Sequence, residues 1–83
     1  MKWEVRLENK AKKDLDRIPE DFKIRILASL PALAENPFIG KKLKGEYNGC
    51  YSFRVWPYRI IYRVYKNLVL LVIIRIGHRQ GIY

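Results

Sequence analysis

The chain has 83 residues, with 17 Lys or Arg against 8 Asp or Glu, a formal charge of +9 with its one His neutral. A chain this short buries only about 60% of the surface its unfolded form exposes, which predicts one domain over residues 1–83 and excludes a deep cofactor cavity beside the core. Hydrophobic residues at 49% and charged residues at 30% predict a packed globule and exclude a disordered basic tail.

The placement of charge says more than its sum. All eight acids lie at or before Glu46, whereas residues 47–83 carry six bases (Arg54, Arg59, Arg63, Lys66, Arg75 and Arg79) and no acid. The same half holds all six Tyr, with Phe53 and Trp56. Cations interleaved with rings suit a phosphate backbone bearing stackable bases. Cys50 is the one cysteine, so no intrachain disulfide is expected, and no Cys/His spacing suits a metal. Neither metal nor cofactor is therefore expected. The segment Met1-Lys2-Trp3-Glu4-Val5-Arg6 carries charges where a signal peptide needs an apolar run, and the apolar stretch Leu68–Ile74 is too short to cross a bilayer. These features predict a cytoplasmic protein that needs no membrane.

In chain order, the apolar–charged alternation of residues 2–7 predicts a strand. Asn9 then caps a helix whose apolar positions are Ala11, Leu15 and Ile18. Pro19 opens a second helix, with Glu20 and Asp21 in the dipole-favoured first turn and Phe22, Ile26, Leu30 and Leu33 as its buried stripe. Pro31 should kink that helix or end it early. Residues 35–49, with Asn36, Pro37, Gly40, Gly45, Asn48 and Gly49, read as a loop. Strands follow at 51–56, 58–65 and 68–76, and their short joints imply an antiparallel meander. The last is apolar through Ile74, which predicts an inner strand covered on both faces. The result is an α+β fold, β-α-α-β-β-β, with two N-terminal helices on one face of a small, mainly antiparallel sheet.

Alternation assigns the other face. Tyr51, Phe53 and Val55 project to one side and Arg54 to the other; Tyr58, Ile60, Tyr62 and Val64 oppose Arg59, Ile61 and Arg63. Burying arginines without acids is prohibitive, so Arg54, Arg59 and Arg63 face water or an anionic partner. Such cations suit RNA cleavage. Attack by a ribose 2′-OH builds negative charge on the phosphoryl oxygens, and fixed guanidiniums lower that barrier. Arginine stays protonated and cannot accept the 2′ proton. The candidates for that role are His78, Tyr83 and a Lys of the cluster Lys41, Lys42 and Lys44.

The motifs Lys42-Leu43-Lys44-Gly45, Cys50-Tyr51-Ser52-Phe53-Arg54-Val55, Tyr58-Arg59-Ile60-Ile61-Tyr62 and Ile76-Gly77-His78-Arg79, with Tyr83, resemble the RelE/ParE superfamily of bacterial and archaeal toxins. The likeness covers nearly the whole chain and is closest to the RelE-type mRNA interferases. It implies a toxin that pairs with a small antitoxin and cleaves mRNA in the ribosomal A site without a metal. By that resemblance Arg59 meets the scissile phosphate, Arg79 assists the leaving 5′ oxygen, and Arg54 fills a strand position often given to Lys. Tyr83 stacks on a base or helps activate the 2′-OH, while Lys41, Lys42 and Lys44 hold mRNA or ribosomal RNA backbone. Arg63, which alternation sets on the face of Arg54 and Arg59, is expected as a further RNA contact. Ser52 stands where some relatives carry a Lys proposed as proton acceptor, so that role does not transfer. Two further readings share the fold: a ParE-type toxin that inhibits DNA gyrase without cutting RNA, and a degenerate member without activity.

Overall fold

A computed structural model describes residues 2–78, which form β1 (Glu4–Leu7), α1 (Asn9–Asp16), α2 (Glu20–Glu35), β2 (Lys41–Lys42), β3 (Cys50–Val55), β4 (Tyr58–Tyr65) and β5 (Leu70–His78). Short 3₁₀ turns occupy Gly45–Tyr47 and Lys66–Leu68. One sheet runs in the order β1-β5-β4-β3-β2, with β1 parallel to β5 and every other pair antiparallel. The α+β architecture is therefore as expected, with one strand more than the sequence predicts.

Both helices lay their apolar stripes on one face of the sheet. Ala11 and Leu15 of α1, Ile18 in the link that follows it, and Ile26 and Leu33 of α2 join Ile60, Tyr62, Leu71 and Ile73 in the core, with Phe22 and Leu30 packed at its margin. Fully burying an aliphatic side chain of this size contributes about 1.5–3 kcal/mol, so this layer fixes which face of each strand turns inward. Asn9 does not cap α1. Glu8 holds the extended N-cap position without a side-chain bond, and Asn9 is the first helical residue.

Pro31 neither ends nor shortens α2, which continues to Glu35. Proline removes one backbone donor and leaves the Leu27 carbonyl without its helical partner. Both residues are exposed, so water can satisfy that carbonyl. Beyond Pro31 the final turn is held by buried Leu33 and Ala34, and the Trp3 amide donates to the Ala34 carbonyl at 2.7 Å.

The region expected as one loop contains β2, whose Lys41 and Lys42 pair with Ser52 and Tyr51. Tyr62 sets up that pairing from below. Its buried hydroxyl donates to the Pro37 carbonyl at 2.8 Å and accepts from the Gly40 amide at 3.1 Å. A Cβ at Gly40 would collide with the Tyr62 hydroxyl and lie 2.9 Å from the Ser52 carbonyl, so only glycine fits there.

β5 is an inner strand, but cover on both faces is not found. Leu71, Ile73 and Ile76 are buried on the helix side, whereas Val72 and Ile74 are half-buried. A register shift lets Ile61 face Arg75 while Tyr62 faces Ile73, so Ile74 is an extra residue on β5. β1 ends opposite Ile73, which leaves the last part of β5 without a strand on that side.

Candidate nucleic-acid interface

The β3–β4 register sets Arg54 directly opposite Arg59, Ser52 opposite Ile61 and Cys50 opposite Arg63. Tyr51, Phe53 and Val55 oppose Tyr62, Ile60 and Tyr58 on the helix side, so Arg54, Arg59 and Arg63 share the other face. Lys41 faces Ser52 and so lies on the arginine side, whereas Lys42 faces Tyr51 and lies on the helix side; Lys44 is exposed beyond β2. The lysine cluster is thus divided between the two faces.

The arginine face has its own small buried base. Ser52 is 3% exposed, and Cys50 and Ile61 are also buried, although none faces the helices. Arg59 is half-buried on this base and its Nη1 donates to Ser52 Oγ at 3.4 Å, a long bond that directs the guanidinium along the sheet. Arg54 is exposed, and Arg63 reaches towards Gly49, where a Cβ would lie 3.5 Å from its Nη1. Gly49 has φ +91°, which lets the chain turn tightly into β3.

His78 does not join the arginines. It faces Tyr58 across the β4–β5 ladder, with ring centroids 6.0 Å apart, and Tyr58 packs edge-on against Phe22 of α2 at 5.5 Å. Alternation therefore puts His78 on the helix side of the sheet, while Gly77 is the residue opposite Arg59. Arg79 and Tyr83, the other expected site residues, lie outside the described residues.

One arginine of the second half does have an acidic partner. Asp14 of α1 accepts from Arg75 at 2.8 and 3.3 Å and from the Ile76 amide at 3.0 Å. Burial alone would raise the Asp14 carboxyl, but the bonds from Arg75 and Ile76 outweigh it and hold the group below the usual carboxylate range. An Arg inside an apolar strand is the signal that such a partner exists; which acid supplies it depends on the fold. Tyr47 is a second residue that the strand pattern does not reveal. Its 3₁₀ turn brings it beside Ile74 and Arg75 of β5, along one open groove.

Among the described residues no three His, Cys, Asp or Glu side chains gather as a metal site, and no helix is long and apolar enough to cross a membrane.

Comparison with known proteins places this geometry in a family. The family model for the ParE toxin of the type II toxin-antitoxin system matches residues 5–83. Toxin RelG of Mycobacterium tuberculosis is 35% identical over 89 residues, covering 100% of this chain and 98% of the relative. The toxin-antitoxin complex RelBE2 of the same organism superposes with a TM-score of 0.89 at 30% identity, covering 95% of this chain and 100% of that one. The archaeal RelE-RelB complex of Pyrococcus horikoshii gives a TM-score of 0.81 at 25% identity, with both chains covered in full. Two helices on a five-stranded sheet, an arginine-bearing outer face and a family match over nearly every residue lead to one conclusion: the chain belongs to the RelE/ParE superfamily, the toxins of type II toxin-antitoxin systems.

Proposed function

We propose that this toxin is a metal-independent endoribonuclease that cleaves mRNA in the ribosomal A site by 2′-OH attack on the scissile phosphate. The observation that carries the reading is Arg54 directly opposite Arg59 on adjacent strands, with no carboxylate on either strand. Like charges in directly opposed positions destabilise a sheet, and an anion bound between them reverses that effect. Phosphate supplies such an anion, and the charge that develops on its oxygens during attack is met by cations already fixed in place. Arg59, directed by Ser52, contacts the scissile phosphate; Arg54 flanks it, and Arg63 and Lys41 hold the backbone on the same face. Lys42 and Lys44 contact RNA further out. Arg79 and Tyr83 act with this group, the first at the leaving 5′ oxygen and the second at a base or the 2′-OH. The position of His78 beside Tyr58 weighs against it as proton acceptor. A small antitoxin is the cognate partner, as in the complexes of the relatives, and the working compartment is the cytoplasm.

The test is to map RNA 5′ ends after induction of the wild type and of Arg59→Ala, with gyrase supercoiling assayed in parallel. New ends within translated messages should appear with the wild type and fall about 100-fold or more with Arg59→Ala. Loss of supercoiling without new ends would replace this reading with gyrase inhibition, absence of both effects would replace it with an inactive toxin, and equal new ends in both proteins would remove Arg59 from the cleaving group.

A further inference from the structure

Trp56 is the most exposed large hydrophobic side chain among the described residues, at 63%. It opens the two-residue turn that joins β3 to β4, just beyond the Val55–Tyr58 pair that closes the ladder. The next pair inward is Arg54 opposite Arg59. Exposure alternates through this stretch: Arg54 and Trp56 are exposed, whereas Phe53, Val55 and Pro57 are half-buried. Trp56 therefore continues the arginine side, two residues and about 7 Å along the chain from Arg54. Pro57 fixes its own φ and confines the residue before it to extended conformations, so the ring is carried on a turn with few alternatives. Ring contacts hold Trp3 on Phe38 and Tyr58 on Phe22, but among the described residues no ring, cation or hydrogen bond engages the Trp56 side chain.

An open indole beside two guanidiniums pairs a surface for a base with charges for its phosphate. We infer that Trp56 is the base-stacking residue of the arginine face. With the scissile phosphate at Arg59 and Arg54, the indole receives the base of an adjoining nucleotide. A purine overlaps an indole more fully than a pyrimidine does, so this contact gives cleavage a purine preference at one fixed position. The inference deepens the cleavage reading and rests on it. A protein partner anchored on Trp56 would need apolar surface around the ring to exclude water. The neighbours on its side of the hairpin are arginines instead, while exposed Ile24 and Leu27 belong to the helices on the opposite face and Leu68 lies at the far end of β4.

The experiment uses the full chain carrying Trp3→Phe, which leaves Trp56 as its one tryptophan. The probe is an end-labelled 2′-O-methyl oligoadenylate of about 12 nucleotides, which lacks the attacking hydroxyl and stays intact. Binding, read by anisotropy, should be accompanied by saturable quenching of Trp56 fluorescence with the same midpoint. An oligouridylate of equal length and chemistry should bind with the same salt slope but several-fold more weakly. Trp56→Ala should weaken oligoadenylate binding by about 10-fold and bring the two probes within about 2-fold, and Trp56→Phe should recover part of the difference. The slope of log Kd against log [KCl] should not move in either variant, since no phosphate contact is lost. RNA ends mapped in cells should lose their purine preference with Trp56→Ala. Matching thermal melts establish that each variant is folded. RNA binding without quenching, or unchanged affinity and preference in Trp56→Ala, would overturn the stacking role and leave the cleavage reading standing. A Trp56 blue shift with an acidic antitoxin peptide and no response to RNA would overturn it in favour of a protein contact. No binding of either probe at low salt, together with no new RNA ends in cells, would overturn the RNA reading itself and the stacking with it.

Discussion

Asp14 and Arg75, 61 residues apart in sequence, form a two-pronged ion pair that fastens α1 to β5 where β1 no longer reaches. The same carboxylate takes the Ile76 amide, which would otherwise point from a strand edge without a partner strand. Asp14→Ala should therefore destabilise the fold by about 1–3 kcal/mol, the range for removing a charged acceptor from part-buried donors, as read by urea denaturation at pH 7.

The same pair predicts a pH dependence. The folded Asp14 carboxyl titrates below its unfolded value, so the unfolded chain takes up the proton first as acid is added. Its stabilisation is complete above the unfolded value of about 3.9 and is lost as pH falls through the lowered folded value. The stability gap between wild type and Asp14→Ala should be constant from pH 7 to about 5 and close below about 4. A gap that stays open at pH 2 would mean that packing, not charge, holds α1 in place.

Tyr62 makes the opposite prediction at high pH. Burial pushes its phenol up to about 12, with Tyr51 adding to the rise and the Gly40 amide opposing it. Between about 10 and 12 the unfolded chain gives up this proton while the fold keeps it, so stability falls as pH rises through that window. Tyr62→Phe removes the dependence, and at pH 7 it leaves the Pro37 carbonyl and Gly40 amide unpaired at a cost of about 1–3 kcal/mol. Unfolding midpoints of both proteins at pH 7, 10 and 11.5 check both parts.

What the sequence reveals follows the range of the forces involved. β4 is legible end to end, because Tyr58, Ile60, Tyr62 and Val64 keep one side apolar and both flanks carry turn residues. Alternation also reveals that Arg54, Arg59 and Arg63 oppose the apolar side. Facing is not the same as gathering, however: His78 follows the glycine opposite Arg59 and still points with Tyr58, its partner across the ladder, and the continuously apolar run before it assigns no faces along β5. β2 is illegible because a two-residue edge strand has no periodicity, and its pairing depends on Tyr62, 22 residues from Gly40. Pro31 misleads for a related reason. Its helical propensity is local, but the last turn of α2 is held by buried Leu33, Ala34 and the distant Trp3 amide.

Arg54 offers a test of whether the outer face sacrifices stability for binding. It is exposed and directly opposite Arg59, so Arg54→Gln removes a like-charge pair without opening a cavity. Stability should rise by about 0.2–1 kcal/mol at low salt, and the gain should shrink as salt screens the pair. RNA cleavage should fall in the same variant. A gain in stability without loss of cleavage would show that the pair serves no bound anion.

Arg59→Lys separates charge from geometry at the centre of the face. Lysine keeps the positive charge, so RNA affinity should stay within a few-fold and the salt slope should be unchanged. It lacks the planar fork that can bond Ser52 and still present other N–H groups to a phosphate. The rate at saturating RNA should consequently drop by about 10–100-fold while Kd holds, because the missing bonds are those that strengthen as charge develops on the phosphoryl oxygens. If Arg59→Lys instead weakens binding and leaves the saturated rate intact, Arg59 is an anchor for the RNA strand, and the developing charge is met elsewhere on the protein.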